Sequence, residues 1–143
     1  MADATFQYRA AGIRSVGSYQ VSGIPYVTGS SGQLPTGTEA RIQFPFVTKS
    51  ITVINSGSAA HSELRIHFNS SSAGDVTSAM AHHFVTLGDT GDSVTFNTKC
   101  REIYITSNGA AGFELFAELT SIHTGSMFDI TGSGLTQIGP NSY

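Results

Sequence analysis

At 143 residues and net charge −3, the chain is the size of one domain, and only 12% of it is charged against a usual ~25%. Its 7 basic residues are scattered with no run and no interleaved aromatics, which argues against nucleic acid as main partner; no apolar run approaches the ~20 residues of a spanning helix, so no membrane insertion is expected. Ser, Thr and Gly (19, 16 and 16 residues) take the place of charge, giving a neutral, hydroxyl-rich surface that desolvates cheaply against copies of itself.

In chain order, residues 1–15 read as an irregular arm with Phe6, Tyr8 and Ile13 as its apolar points. Residues 16–23 are extended but broken by glycine, and Ile24-Pro25-Tyr26-Val27-Thr28 is confined to a sheet edge by its proline. A loop over 29–37 precedes a strand at 38–44, with Ala40, Ile42 and Phe44 opposite Glu39, Arg41 and Gln43. After Pro45 a second strand runs over 47–55 and closes at Asn55-Ser56-Gly57-Ser58. The strand at 62–69 turns Leu64, Ile66 and Phe68 inward and Glu63, Arg65 and His67 to its polar face. A long Ser-rich connection at 70–80, a strand at 82–87, an acidic loop at 88–92 and a short strand at 93–98 follow.

The stretch 101–122 has the strongest pattern. Two alternating arms flank Asn108-Gly109-Ala110-Ala111-Gly112, which predicts a hairpin. Ile103 and Ile105, then Phe113, Leu115, Ala117 and Leu119, form its apolar side; Glu114, Phe116, Glu118 and Thr120 lie opposite. Beyond 122 the alternation stops. The predicted class is all-β, an antiparallel two-sheet β-sandwich, with an eight-stranded jelly roll the best fit and an immunoglobulin-like sandwich second. The layout is an N-terminal arm and edge strand at 1–28, a sandwich body at 29–122 and a tail at 123–143.

Candidates for chemistry do not converge. His82 and His83 alternate to opposite faces, and His61, His67 and His123 are read as solvated or hydrogen-bonded surface groups, so no metal site is expected. Asp89 and Asp92 in a glycine-rich loop are too few for a calcium motif. Cys100 sits between Lys99 and Arg101, but neighbours on a strand point away from it, and a buried structural thiol is expected. As the single cysteine, it excludes an internal disulfide. Glu114 and Glu118 stand ~13 Å apart along a strand, too far for a paired-carboxylate mechanism. No enzyme, no cofactor and no catalytic residue is expected. The N-terminus has no basic stretch leading into an apolar one, so synthesis in the cytosol without a secretory signal is expected.

Residues 16–25 (VGSYQVSGIP), 44–53 (FPFVTKSITV) and 113–119 (FELFAEL) resemble small structural proteins of icosahedral double-stranded DNA viruses, the single jelly-roll subunits at capsid vertices (pentons) or the proteins that cement a shell. The resemblance implies a virion protein that contacts copies of itself, as in a pentamer, and other capsid proteins. It assigns Tyr8, Tyr19 and Tyr26 of the arm and Phe128 and Ile138 of the tail to those contacts. Phe116, between two glutamates, joins them as the outward aromatic most in need of a cover, from a terminal arm or a neighbouring subunit. The arms either lace an assembly together or fold back over their own sandwich. A carbohydrate-binding β-sandwich, such as a tail-fibre or lectin-like module, is the alternative; the absence of Trp and the few acids count against it.

Overall fold

The computed structural model describes residues 12–13, 16–20, 22–30, 32–35, 37–57, 63–70, 84–108, 111–128, 130–131 and 134–135. Eight strands build the body: β1 (Ile24–Gly29), β2 (Glu39–Gln43), β3 (Phe46–Asn55), β4 (Glu63–His67), β5 (Val85–Leu87), β6 (Ser93–Phe96), β7 (Glu102–Asn108) and β8 (Phe113–His123). They form two four-stranded sheets, ordered β1-β8-β3-β6 and β2-β7-β4-β5. Every pairing in both is antiparallel. First pairs with last, second with seventh, third with sixth and fourth with fifth: a long two-stranded ribbon rolled across two layers. That order defines a jelly roll.

The layers face each other because their alternating apolar residues have nowhere else to go. Ile51, Val53, Leu115, Ala117 and Leu119 from one sheet meet Ile42, Leu64, Ile66, Ile103 and Ile105 from the other, all buried in one cluster. Pro25 lies on the edge strand β1, as its missing N–H requires. Tyr26 turns inward from that edge and meets Phe44 edge-on, ring centroids 5.3 Å apart.

The predicted hairpin at 101–122 is not one. β7 pairs with β2 and β4, β8 pairs with β1 and β3, and the connection carries the chain from one sheet to the other. Period-two alternation serves either geometry, since both arms present their apolar side to the same core. Five residues reach across sheets ~10 Å apart as easily as they turn within one. The corner is tied to its surroundings: Ala111 N–H donates to Ser107 Oγ, Leu34 N–H to the Ala111 carbonyl and Ser56 N–H to the Gly112 carbonyl.

Other boundaries shift. The expected extended run at 16–23 contains a short helical turn, Gly17–Gln20 (α1). The strand expected at 82–87 runs Val85–Leu87, with residues 82–83 outside the described residues. The tail contributes a two-stranded ribbon, β9 (Ile130–Thr131) with β10 (Gly134–Leu135), that alternation did not predict.

A second, smaller cluster lies outside the main core. Val47 and Ile122 project from the outer face of the β1-β8-β3-β6 sheet and are buried there with Met127, while Ile13, Tyr19 and Ile130 pack against them. The Tyr19 hydroxyl donates to the Ile13 carbonyl (3.2 Å), as does Lys99 Nζ (3.1 Å), which also lies 4.7 Å over the Tyr19 ring. Thus 12–20, as far as described, fold back over their own sandwich. Gly23 makes the close approach possible, since a Cβ there would stand 2.4 Å from Glu118 Cβ.

Ile105→Ala, at a fully buried inner position, is expected to lower unfolding free energy by about 2–5 kcal/mol in urea titration. A loss below 1 kcal/mol, by the same order-of-magnitude scale, would contradict this packing. Gly23→Ala is expected to destabilise by roughly 1–3 kcal/mol through overpacking on Glu118, checked in the same titration.

Candidate functional site

The two outer faces differ in chemistry. On the β1-β8-β3-β6 sheet the register sets Val27 beside Phe116, Phe116 beside Thr52 and Thr52 beside Thr95. Val27 is 73% exposed and Phe116 43%. Phe116 was expected to need a cover; the described arm lies at the other end of this face, over Ile122 and Val47, and leaves Phe116 open. The rows on either side are Pro25, Glu118 and Ser50, and Gly29, Glu114, Ile54 and Ser93. Glu118 is occupied by the Ser50 hydroxyl at 2.8 Å, and the Thr52 and Thr95 hydroxyls meet at 2.9 Å. Val27 and Phe116, beside hydroxyls that bond each other and Glu118, offer contact area and little directional chemistry.

The β2-β7-β4-β5 face is a charge network. Arg41 holds Glu102 through Nε and Nη2 at 2.7 and 2.6 Å, and Glu102 also takes the Tyr104 hydroxyl at 3.1 Å. Arg65 pairs with Glu63 at 2.7 Å and lies 4.6 Å from the Phe84 ring centroid. Next to Tyr104 in register is His67, with rings stacked at 5.9 Å and 11°.

His67 corrects the expectation of a surface histidine: its exposure is 0%. Nδ1 lies 2.6 Å from the Asn69 carbonyl and Nε2 2.6 Å from Thr106 Oγ1. A carbonyl only accepts, so Nδ1 carries the proton and Nε2 accepts from the Thr106 hydroxyl. Burial pushes its pKa below the ordinary value, against the opposite pull of the Asn69 carbonyl and Glu39. The pair resembles a nucleophile and base, but the carboxylate of Glu39 stands 3.9 Å from Nε2 rather than on Nδ1, so it does not orient the ring as a triad acid would. This arrangement ties three strands of one sheet face together.

Cys100 is fully buried, within 3.4 Å of Thr48 Oγ1, and desolvation pushes its thiol up to about 11. Asp89 and Asp92 close an ordinary turn, with Asp89 N–H donating to Asp92 Oδ2 at 2.9 Å and Gly91 at φ 91°. Among the described residues no group of three or more His, Cys, Asp and Glu is placed to hold a metal ion. No helix among them is long and apolar enough to cross a membrane.

The proposed contact residues separate accordingly. Phe116 and Phe128, 43% and 44% exposed, are on the surface. Tyr19 is engaged by its own chain, and Tyr26 packs on Phe44. Tyr8 and Ile138 lie outside the described residues, as do His61, His82 and His83. Sequence reasoning passed over Val27, although Pro25 and Val27 share one side of β1; a strand-edge valine signals nothing until its partner Phe116 is known. No protein-family model matches the chain, and comparison with curated proteins and with solved structures gives no match in either.

In native protein at about pH 8, Cys100 is expected to resist thiol reagents for hours and to react fully within minutes in denaturant, followed by mass spectrometry; prompt native labelling would contradict its burial.

Proposed function

We propose that the chain is a non-enzymatic structural subunit of a virion shell, at a capsid vertex or as a cementing protein, that assembles with copies of itself and with other capsid proteins. The observation that carries this is the Val27–Phe116 row, an apolar strip on a rigid sheet left open by the chain's own described arm. Interface cores favour aromatic and aliphatic side chains with few charges, and this is the composition of that strip. The low charged fraction, 12%, leaves little charge to desolvate at a contact, and the jelly-roll order supplies a body with two sheet faces. Fold does not fix function; the exposed strip, and the resemblance of its flanking sequence to capsid subunits, add what the fold alone lacks.

The strip also bears on symmetry. Glu114 and Glu118 flank Phe116 on the same face, so a two-fold contact centred on Phe116 sets carboxylates against carboxylates. A head-to-tail contact, strip onto a different surface of the next copy, avoids that repulsion, and it forms a ring when the rotation between copies closes. A pentamer is one such ring.

Sedimentation velocity of the full chain tests the proposal. The expected result is a concentration-dependent oligomer, with Val27→Asp plus Phe116→Ser weakening association by about tenfold or more while the melting temperature holds. A wild-type chain that stays monomeric at every concentration and binds glycans on an array would overturn it in favour of a sugar-binding module.

A further inference from the structure

We propose that His67 is a proton-operated latch: neutral, it holds the turn that leaves β4, and protonated, it draws Glu39 away from that turn and releases it. The geometry has three parts. His67 ends β4, and its Nδ1–H is given to the carbonyl of Asn69, two residues on. The next residue, Ser70, is held twice, by its N–H to Asn69 Oδ1 (2.9 Å) and by its hydroxyl to Glu39 Oε1 (3.1 Å). The other oxygen of that carboxylate, Oε2, waits 3.9 Å from His67 Nε2. One carboxylate on β2 thus stands between a serine that it holds and an imidazole that does not yet need it.

Protonation changes what Nε2 asks of its surroundings. As the neutral ring it accepts from Thr106; as imidazolium it becomes a donor, so the Thr106 hydroxyl has to reverse. A charge has also appeared where exposure is 0%, and such a charge requires a partner. The charged and titratable groups facing it are few among the described residues. From β2 they are Glu39 and Arg41, the latter 5.9 Å from the Tyr104 ring centroid; from β7 they are Tyr104 and Glu102, which bond each other. On β4 itself Glu63 and Arg65 pair together. Glu102 is committed to Arg41 and Tyr104, and Glu63 to Arg65, which leaves Glu39 as the nearest anion to answer. Bringing Oε2 from 3.9 Å to bonding distance of Nε2 shifts the carboxylate and loosens the 3.1 Å bond that Oε1 accepts from Ser70.

The sign follows from burial. Above about pH 6.5 the ring is neutral in both the held and the released state, and the latch contributes in full. As pH falls from there through the lower midpoint of the buried ring, the released state takes the proton first, and holding weakens.

Amide hydrogen exchange on the full chain, corrected for intrinsic rates, tests this from about pH 7.5 to about pH 4.5. Protection at residues 67–70 is expected to fall by up to about tenfold for each unit of pH between about pH 6.5 and the buried midpoint and to level off below it, while Ile51 to Val53 in the core hold theirs. His67→Gln, which keeps a donor and an acceptor but cannot titrate, is expected to flatten that dependence. Equal loss in wild type and H67Q, or no loss in wild type, would overturn the latch. If H67Q does not fold, Glu39→Gln decides. It keeps an acceptor for Ser70 but loses the anion, so the His67 ring protons must titrate at lower pH than in wild type; an unmoved titration overturns the proposal.

Discussion

One strand, Phe113–His123, divides the molecule. It is hydrogen-bonded on both sides, to β1 and to β3, so its alternation is imposed on a whole sheet. Phe113, Leu115, Ala117 and Leu119 go to the main core, and the opposite parity assembles the outer face. Along that outer side the chain does two different things. Ile122 is buried under the arm and tail, while Phe116, six residues earlier on the same side, is left 43% exposed. Phe116 is therefore held on a fully paired strand, with backbone hydrogen bonds fixing where it stands. An apolar group so placed loses little conformational entropy on contact, which is what makes a surface adhesive rather than merely greasy.

The other sheet spends its outer face differently. There the side chains bond each other, from strand to strand in Arg41 to Glu102 and His67 to Thr106, and along β7 in Tyr104 to Glu102. Partly buried polar groups of this kind are stable only while all are satisfied, so the network is specific in geometry and sensitive to a change in any member. The Thr48 hydroxyl plays a comparable part at the strand junctions. It donates to the Thr98 carbonyl and accepts from Cys100 N–H, fixing the passage from β6 to β7 against β3.

Much of this was legible beforehand, and the reasons for the remainder are physical. Period two located the strands because each buries one side only, and Pro25 announced an edge because it lacks a donor. The corner between β7 and β8 was misread as a hairpin because a turn signal tells where the chain reverses, not which sheet it enters. Parity puts His67 among the solvated or hydrogen-bonded surface groups because it assigns only a face, while burial depends on the neighbours across it, here Tyr104 from a strand distant in sequence. Val27 was missed for the same reason: its weight lies in being beside Phe116. For the N-terminal arm at 1–28 the sequence leaves lacing and folding back both open; of its described residues, Ile13 and Tyr19 pack against Val47, Ile122 and Met127.

The rolled-ribbon pairing has a consequence in time. Among the described strands β1 pairs with β8 alone, and β2 with β7 alone. A ribosome that has released residues 24–67 has made half the strands of both sheets, yet β1 and β2 have nothing to pair with. Both layers close only when the last two strands emerge, so the nucleus has to join residues far apart in sequence and folding is slow for the size of the chain. Until then β3, with Ile51 and Val53 destined for the core, can pair on one side only, with β6, in a chain with few charges. The scarcity of charge leaves the nascent chain exposed to premature association, and the order of its strands lengthens that exposure.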